Sequence, residues 1–557
     1  MNERRAAAVS LAASVMAGLG LRLWNLRDQV MGGDELHAVR VVARQTIPEI
    51  LTTYRVADVS IPLAALHRLL MEWGVTLSEI DFRLPALVCG CLALWVIPRA
   101  FKGRLERAEV ELLGWLVAFS PVLVLYSRIA RSYLPMLLAG FGAVMAFEHW
   151  WRTRTWKAGL AYVLLAALAV WLHLGAGPLV AAPFLFALGD LVPPRREGRW
   201  RGLLALIALG AALAVAFSLF LVPARESLLR LIASKRQEQT VPLDTVLDVL
   251  HLQAGTGSSV LSALFWAAAL AGLVLLFKDR PRLGAFTLTV AVGHLTGMLL
   301  LSPLGMANPI ILGRYLLPVL PFVLLWVAYA LGRPWSPERG CLGQTTQRMA
   351  ARFFVLALFW VGPFPQDGFR DSSFMHHNDF VGFFAPRAAL PARDVPAVYR
   401  RLSGGPVLEF PWPPAWDFNR VFYIYQGVHE ERVMVSAPFD LPRHPRIDLR
   451  NEVPPEPAAL LASPARHLVV HLRIAAEEDR VQRPPDRPLS RPMPPALRRL
   501  YRKEGESLAR QLTREWGPPD YEDDRVRVWD LERLRRSTAA HRRAGPRAAA
   551  PGYGRGG

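Results

Sequence analysis

The sequence predicts a mainly α protein, in which a polytopic bundle of transmembrane helices precedes a small soluble α/β domain. Of its 557 residues, 52% are hydrophobic, and the apolar residues form runs of about 20, the length of a membrane-spanning helix. Clusters of Lys and Arg fall on every second loop, as in membrane proteins whose basic loops stay in the cytoplasm. After Pro363 the apolar runs stop, which indicates a second domain.

The alternation of basic loops predicts about 11 spans. Arg4 and Arg5 precede the first span and place the N-terminus in the cytoplasm, so the next loop emerges on the outer face. That loop, residues 25–81, is too polar to span and is expected to form amphipathic helices on the outer surface. The spans are predicted at residues 6–24, 82–98, 110–126, 133–150, 158–174, 177–191 and 202–222, an eighth that ends at Lys278, then 283–301, 315–331 and 353–363.

Three regions follow from this organisation. A transmembrane domain occupies residues 1–364, and an extracytoplasmic α/β domain occupies residues 365–534, since the predicted spans leave the C-terminus outside. A basic tail rich in Arg, Ala and Gly, residues 535–557, is expected to be disordered. Within the α/β domain, strands are predicted at residues 407–410, 432–435, 467–472 and 526–529, and an amphipathic helix at residues 495–516.

The net charge of +19 is explained by the basic loops, because Lys and Arg in short loops set the orientation of membrane helices. No nucleic-acid partner is therefore expected. The three cysteines, Cys89, Cys91 and Cys341, provide neither a disulfide framework nor a metal-ligand cluster. The identity of any metal stays open at this point.

Four sets of polar residues lie at span ends on the predicted outer face. Arginine there opposes the usual distribution of charge, and an anionic partner is one explanation, because a guanidinium binds phosphate through a planar fork. The alternatives are lipid headgroups for the arginines, a solvated helix start for the carboxylates, and ordinary packing for the histidine. The four sets are Asp34-Glu35, Tyr126-Ser-Arg-Ile-Ala-Arg-Ser-Tyr133 with Arg128 and Arg131, His173, and Arg314-Tyr315.

Arg128 and Arg131 are three residues apart, a spacing that on a helix would place both on one face. A carboxylate at the membrane boundary, such as Asp34 or Glu35, is a candidate proton acceptor or cation ligand. The sequence therefore predicts a site at the outer end of the bundle.

Three of these motifs resemble glycosyltransferase family 39, whose members are membrane enzymes of the GT-C fold. The motifs are Gly33-Asp-Glu after the first span, Tyr126 to Tyr133, and Gly313-Arg-Tyr-Leu-Leu-Pro318. The family includes protein O-mannosyltransferases and lipid A aminoarabinose transferases, and the resemblance covers roughly the first 360 residues. The segments Val407–Pro411 and Tyr423–His429 also resemble an outer domain that bacterial relatives append.

The resemblance implies transfer of a hexose or pentose from a polyprenyl-phosphate carrier to an acceptor hydroxyl on the outer face, with inversion. It implies Asp34 as the catalytic base, with Glu35 supporting the site or meeting a divalent cation. The phosphate would be bound by Arg128, Arg131, Tyr133, Arg314 and Tyr315, with His173 supporting the site. No certain cofactor is implied. The implied location is the inner (plasma) membrane, in contact with its lipids.

Two departures from the family leave the acceptor open among lipid, glycan and protein. Leu36-His37 follows Asp-Glu where many relatives have Arg-Tyr, and the β-trefoil domain of the eukaryotic enzymes is missing. The alternative function is a flippase or transporter of lipid-linked saccharides. A transporter is expected to carry ionisable groups at mid-membrane, where His294 is the clear candidate, so the sequence favours the transferase over the transporter and over a scaffolding role.

Overall fold

The computed structural model of the chain divides into two units, Met1–Phe384 and Ala385–Gly557. The structure describes residues 3–24, 26, 35, 38, 41–42, 45–54, 60–75, 77–192, 199–235, 240–303, 305–307, 309–333, 341–361, 396–411, 433–435, 453, 455–472 and 495–544.

In the part of the first unit that the structure describes, helices joined by short loops make up the secondary structure. One-turn 3-10 helices at Leu174–Ala176 and Leu317–Val319 lie between α-helices near two of the predicted site residues. The α-helices are α1 (Glu3–Leu23), α2 (Ile47–Thr52), α3 (Ile61–Glu72), α4 (Glu79–Ala100), α5 (Arg107–Phe119), α6 (Pro121–Ser127), α7 (Tyr133–Thr153), α8 (Trp156–Leu172), α9 (Gly177–Leu191), α10 (Arg199–Leu221), α11 (Arg225–Lys235), α12 (Leu243–Ala254), α13 (Ser259–Asp279), α14 (Pro281–Leu301), α15 (Pro309–Leu316), α16 (Leu320–Gly332) and α17 (Cys341–Trp360).

Helices occupy the positions of all the predicted spans. Among the described residues, six helical segments are long and apolar enough to cross a membrane, and α5 with α6 adds a seventh if the bent pair is one span. Shorter apolar helices lie at Ala7–Leu23, Trp156–Leu172 and Met349–Trp360. Amphipathic α2 and α3 lie in the polar segment after α1, as predicted. The multi-pass helical fold is therefore confirmed.

The third predicted span is broken in the middle. α5 and α6 meet at an angle of 55°, because Pro121 begins α6 at a position where its missing amide proton costs no helical hydrogen bond. The Oγ atom of Ser120 accepts a hydrogen bond from the backbone N–H of Leu123 at 3.4 Å and caps the new helix. The break directs α6 towards the loop that carries the predicted arginines.

Small residues let the spanning helices approach closely. A Cβ atom on Gly272 of α13 would overlap the carbonyl oxygen of Trp326 in α16, and one on Gly90 of α4 would overlap Ser127 in α6. Lipid is as apolar as a leucine side chain, so membrane helices gain stability from such close packing rather than from burial alone. α16 is almost completely enclosed, since nearly all its side chains are buried.

The end of the first unit that carries the basic loops is held together by ion pairs between helices. Arg104, in the loop before α5, pairs with Glu148 of α7 at 2.6 Å, and Arg352 of α17 pairs with Glu111 of α5 at 2.6 Å. The basic loops thus find internal carboxylate partners. The predicted site residues that the structure describes lie at the opposite end.

The second unit contains a five-stranded mixed sheet with the order β2-β1-β3-β5-β4. The first three of these strands are parallel, and the remaining pairings are antiparallel. Helix α19 packs on the sheet through buried Leu508, Ala509 and Leu512. The elements are β1 (Val407–Phe410), β2 (Val433–Val435), α18 (Pro457–Ala462), β3 (His467–His471), α19 (Pro495–Trp516), β4 (Tyr521–Glu522), β5 (Val526–Asp530) and α20 (Leu531–Ala544).

The four strands predicted from sequence match β1, β2, β3 and β5 to within a residue, and the predicted helix matches α19. The α/β class of this unit is therefore confirmed. The predicted disordered tail begins too early, because α20 continues to Ala544. The side chain of Arg535 donates hydrogen bonds to the carbonyl oxygens of Leu461, Ser463 and Ala465, which anchors this helix to the end of α18. The boundary predicted at residue 364 lies outside the described residues.

Candidate active site

The loop between α6 and α7, residues 128–132, is not helical, so the expected shared helical face of Arg128 and Arg131 does not form. Arg128 is 2% exposed, and its Nη1 donates hydrogen bonds to the carbonyl oxygens of Leu21, Arg22 and Trp24 at 3.0, 3.3 and 2.6 Å. These carbonyls lie at the C-terminal end of α1, where the last turn lacks helical partners. Arg128 therefore caps α1.

Glu35, the second residue of the predicted carboxylate pair, is fully buried. Arg83 of α4 forms a bidentate ion pair with it, in which Nε donates a hydrogen bond to Oε1 at 2.8 Å and Nη2 donates one to Oε2 at 2.9 Å. Oε1 also accepts a hydrogen bond from the backbone N–H of Ala130 at 2.6 Å. Ala130 lies between the two arginines of the loop, so two motifs that are far apart in sequence are directly bonded.

Asp34 lies outside the described residues. The Glu35 carboxylate is already engaged by Arg83 and Ala130. Glu35 is therefore held by two elements, α4 and the loop before α7.

Tyr133, the first residue of α7, lies between two arginines, Arg131 from the preceding loop and Arg314 from α15. The guanidinium carbon of Arg131 is 5.8 Å from the centre of its ring, and that of Arg314 is 5.5 Å from the same centre. Tyr133 is buried, whereas both arginines are partly exposed. Cation–π attraction to a shared ring orients both guanidinium groups, so two positive charges converge at this point.

His173 and Tyr315 complete this cluster. The His173 ring centre is 5.4 Å from that of Tyr133 and 6.1 Å from that of Tyr315. His173 lies in the break between α8 and the following 3-10 helix, and its Nδ1 accepts a hydrogen bond from the Gly175 N–H at 3.1 Å. The proton of a neutral His173 ring is therefore on Nε2. The structure thus brings together five predicted residues from three segments of the chain, namely Arg131, Tyr133, His173, Arg314 and Tyr315.

Buried positive charge accumulates beside this cluster. Three arginines, Arg22, Arg83 and Arg128, are at most 2% exposed. Among the described residues at this end, one carboxylate, that of Glu35, is buried with them. Burial lowers the pKa of the Arg128 guanidinium to about 9, and the positive charge of Arg83 contributes to this lowering. Positive charge concentrated away from water attracts anions more strongly than the same charge in water. An anion at this end of the bundle would therefore be stabilised.

Arg83 is the residue that sequence reasoning missed. It lies at the start of the span predicted at residues 82–98, and an ionisable residue in that position usually has a partner. The described residues include no group of His, Cys, Asp and Glu placed to hold a metal ion. The divalent cation predicted near Asp34 stays a prediction.

The structure is that of a multi-pass membrane protein with a cluster of arginine and aromatic side chains at one end of its bundle, followed by an α/β unit. No protein-family model and no curated protein sequence matches the chain.

The chain is similar to several solved structures, among them the following three. ArnT from Cupriavidus metallidurans bound to undecaprenyl phosphate has a TM-score of 0.46 and 14% identity, over 78% of this chain and 86% of that one. The oligosaccharyltransferase AglB from Archaeoglobus fulgidus, in complex with an inhibitory peptide and a dolichol-phosphate, has a TM-score of 0.45 and 11% identity, over 85% and 70%. The Archaeoglobus fulgidus oligosaccharyltransferase with Zn and sulfate has a TM-score of 0.45 and 12% identity, over 84% and 68%. At these scores and identities, the likeness alone defines neither an activity nor a ligand for this chain.

Proposed function

We propose that this protein is a membrane glycosyltransferase that moves a sugar, a hexose or a pentose, from a polyprenyl-phosphate carrier to an acceptor hydroxyl. The observation that carries the proposal is the junction of the three motifs. Glu35, next to Asp34, is bonded to Ala130, and Arg131 from the same loop shares the Tyr133 ring with Arg314. Two cations at one site suit a sugar phosphate, and we infer that Asp34 provides the carboxylate needed for the attack of a hydroxyl.

The arginines provide the electrostatic part of the mechanism. When the bond between the anomeric carbon and the phosphate oxygen breaks, negative charge grows on the leaving phosphate. Arg131 and Arg314 are charged, and the Tyr133 ring holds their direction before the reaction begins. Donors that are already aimed at developing charge provide a large part of the rate enhancement in many enzymes. For Arg128 we propose support of the α1 end, since its Nη1 is bonded there.

Asp34 provides the base. It takes the proton of the acceptor hydroxyl as the acceptor oxygen bonds to the anomeric carbon on the face opposite the phosphate, and polyprenyl phosphate leaves. A single displacement of this kind inverts the anomeric configuration. Glu35 supports the site without taking part in proton transfer, because its two oxygens already accept hydrogen bonds from Arg83 and Ala130. We propose that the carrier and the site lie on the outer face of the inner membrane; the alternation of basic loops supports the outer face.

The proposal is tested by incubating the purified protein with polyprenyl-phosphate sugars and an extract of membrane lipids, glycans and proteins as acceptors. We expect release of polyprenyl phosphate that depends on the sugar donor. Arg131→Lys and Arg314→Lys should weaken donor binding, because an ammonium group cannot reproduce the guanidinium fork. Arg230→Ala, a change at an exposed residue of α11, is the matched control and should bind normally.

The alternative function, a flippase, predicts a different result for the same purified protein and donors. A flippase reconstituted in vesicles would move the lipid-linked sugar across the bilayer and leave the sugar–phosphate bond intact. Translocation with no release of polyprenyl phosphate for any donor would refute the transferase and favour the transporter.

A further inference from the structure

The short helix α15, which carries Arg314, is held by side chains from two other helices. The Nε2 atom of Gln253, in α12, donates a hydrogen bond to the carbonyl oxygen of Gly313 at 3.0 Å. The Nε2 atom of His294, in α14, is 2.7 Å from the carbonyl oxygen of Tyr315. These two carbonyls belong to the residues on either side of Arg314. The backbone of Arg314 is therefore fixed on both sides.

Both of these side chains are buried, Gln253 at 6% exposure and His294 at 0%. A carbonyl oxygen only accepts, so Nε2 of His294 carries the proton in this contact. The Nδ1 atom of His294 has no hydrogen-bond partner among the described residues, as expected of a neutral ring whose proton is on Nε2. Mid-span histidines are often functional in transporters, but this one has a defined contact with the backbone beside Arg314.

The segment needs such support because its helix does not continue. α15 ends at Leu316, a 3-10 turn covers Leu317–Val319, and α16 begins only at Leu320. Gly313 is also pressed against α12, since a Cβ atom there would overlap the side chain of Leu252. A side chain on a short, interrupted helix depends on outside contacts for its direction, and directional hydrogen bonds provide them.

We propose that Gln253 and His294 are positioning residues that hold the Arg314 guanidinium over the Tyr133 ring, in the place where it binds the lipid phosphate. This inference rests on the proposed function for the role of the phosphate. It also gives His294 a task that needs no transport of protons or substrate. We do not propose that Gln253 or His294 contacts the reacting atoms.

The test compares two amide replacements of one residue. The amide nitrogen of glutamine reaches about as far as Nε2 of histidine, whereas that of asparagine is one bond shorter. His294→Gln should therefore bind undecaprenyl phosphate nearly as wild type does, and His294→Asn should bind it about three- to tenfold more weakly, the loss typical of one hydrogen bond inside a membrane protein. Gln253→Met, which keeps the length and removes the amide, should lose a similar factor.

A double-mutant cycle separates positioning from a general loss of structure. In the Arg314→Ala background, His294→Asn should have no further effect on undecaprenyl phosphate binding, because the group that it positions is gone. A loss that adds fully to that of Arg314→Ala, or unchanged binding in His294→Asn, would overturn the inference. Equal unfolding midpoints of the Gln and Asn variants exclude misfolding as the cause.

Failure of the proposed function gives a separate signal. If the wild type does not bind undecaprenyl phosphate at all, the proposed function fails. Positioning is then judged by hydrogen exchange in Pro309–Leu316, which should be faster in His294→Asn than in His294→Gln. Equal exchange in the two variants would overturn the inference as well.

Discussion

Replacing Glu35 with glutamine removes one charge of an ion pair that the bundle buries completely. Both side chains of the pair, Arg83 and Glu35, are 0% exposed, and two hydrogen bonds of 2.8 and 2.9 Å join them. In the Glu35→Gln variant, the amide has one acceptor oxygen, and its NH₂ group faces a guanidinium that only donates. Arg83 then stays charged and poorly paired. The expected loss in the free energy of unfolding is therefore that of a buried charge without its counter-charge.

The magnitude follows from burial. Breaking a buried pair by removing one partner typically costs about 3–5 kcal/mol. An exposed pair in the same unit provides the control: Arg68 and Glu72 are bonded at 2.9 Å with 23% and 41% exposure, and such i,i+4 pairs contribute only about 0.3–0.5 kcal/mol. Glu35→Gln should therefore destabilise the bundle several times more than Glu72→Gln.

The assay is equilibrium unfolding of the full chain in mixed detergent micelles, followed by intrinsic fluorescence. The double variant Glu35→Leu with Arg83→Leu should recover much of the loss, because replacing both partners of a buried pair with apolar residues is often nearly neutral. If Glu35→Gln costs no more than Glu72→Gln, or if the double variant is as unstable as the sum of its single variants, the reasoning about this pair is refuted.

Two further predictions concern topology and the second unit. Cysteines introduced at Asn25 and Ser403 should react with a membrane-impermeant thiol reagent in intact cells, and one at Gly198 should not; the reverse pattern would place the site on the cytoplasmic face. Gly505→Ala should destabilise the second unit by about 1–3 kcal/mol, because the added Cβ would overlap the carbonyl oxygen of His471. Protease sensitivity of the full chain measures this, with exposed Ser507→Ala as the control, and equal sensitivity of the two variants would contradict the close approach of α19 to β3.

The spans and strands could be predicted from sequence because they depend on local pattern. Runs of apolar residues long enough to cross a bilayer indicated the helices, and short β-rich runs indicated four strands almost to the residue. The break between α5 and α6 was missed, although Ser120-Pro121 is a local signal for a new helix start. The length of the apolar run concealed it.

The contacts inside the site could be predicted only in part. The charge rule identified Arg131 and Arg314 as unusual, and the structure places both at Tyr133. The charge rule could not distinguish these two arginines from Arg128, because a guanidinium that caps a helix end and one that binds phosphate give the same signal in the sequence. The pairing of Arg83 with Glu35 spans 48 residues in sequence, and no local pattern indicates a partner at that distance.

The reaction itself is tested most directly by the turnover of Asp34→Asn. This change keeps the shape of the side chain and removes the proton acceptor, and positioned proton removal typically contributes about 10²–10⁴-fold to a rate. On protein shown to be folded by its unfolding midpoint, we expect sugar transfer to fall by that factor while the donor still binds. Near-normal transfer by Asp34→Asn would contradict the assignment of Asp34 as the base and, with it, the mechanism proposed for this site.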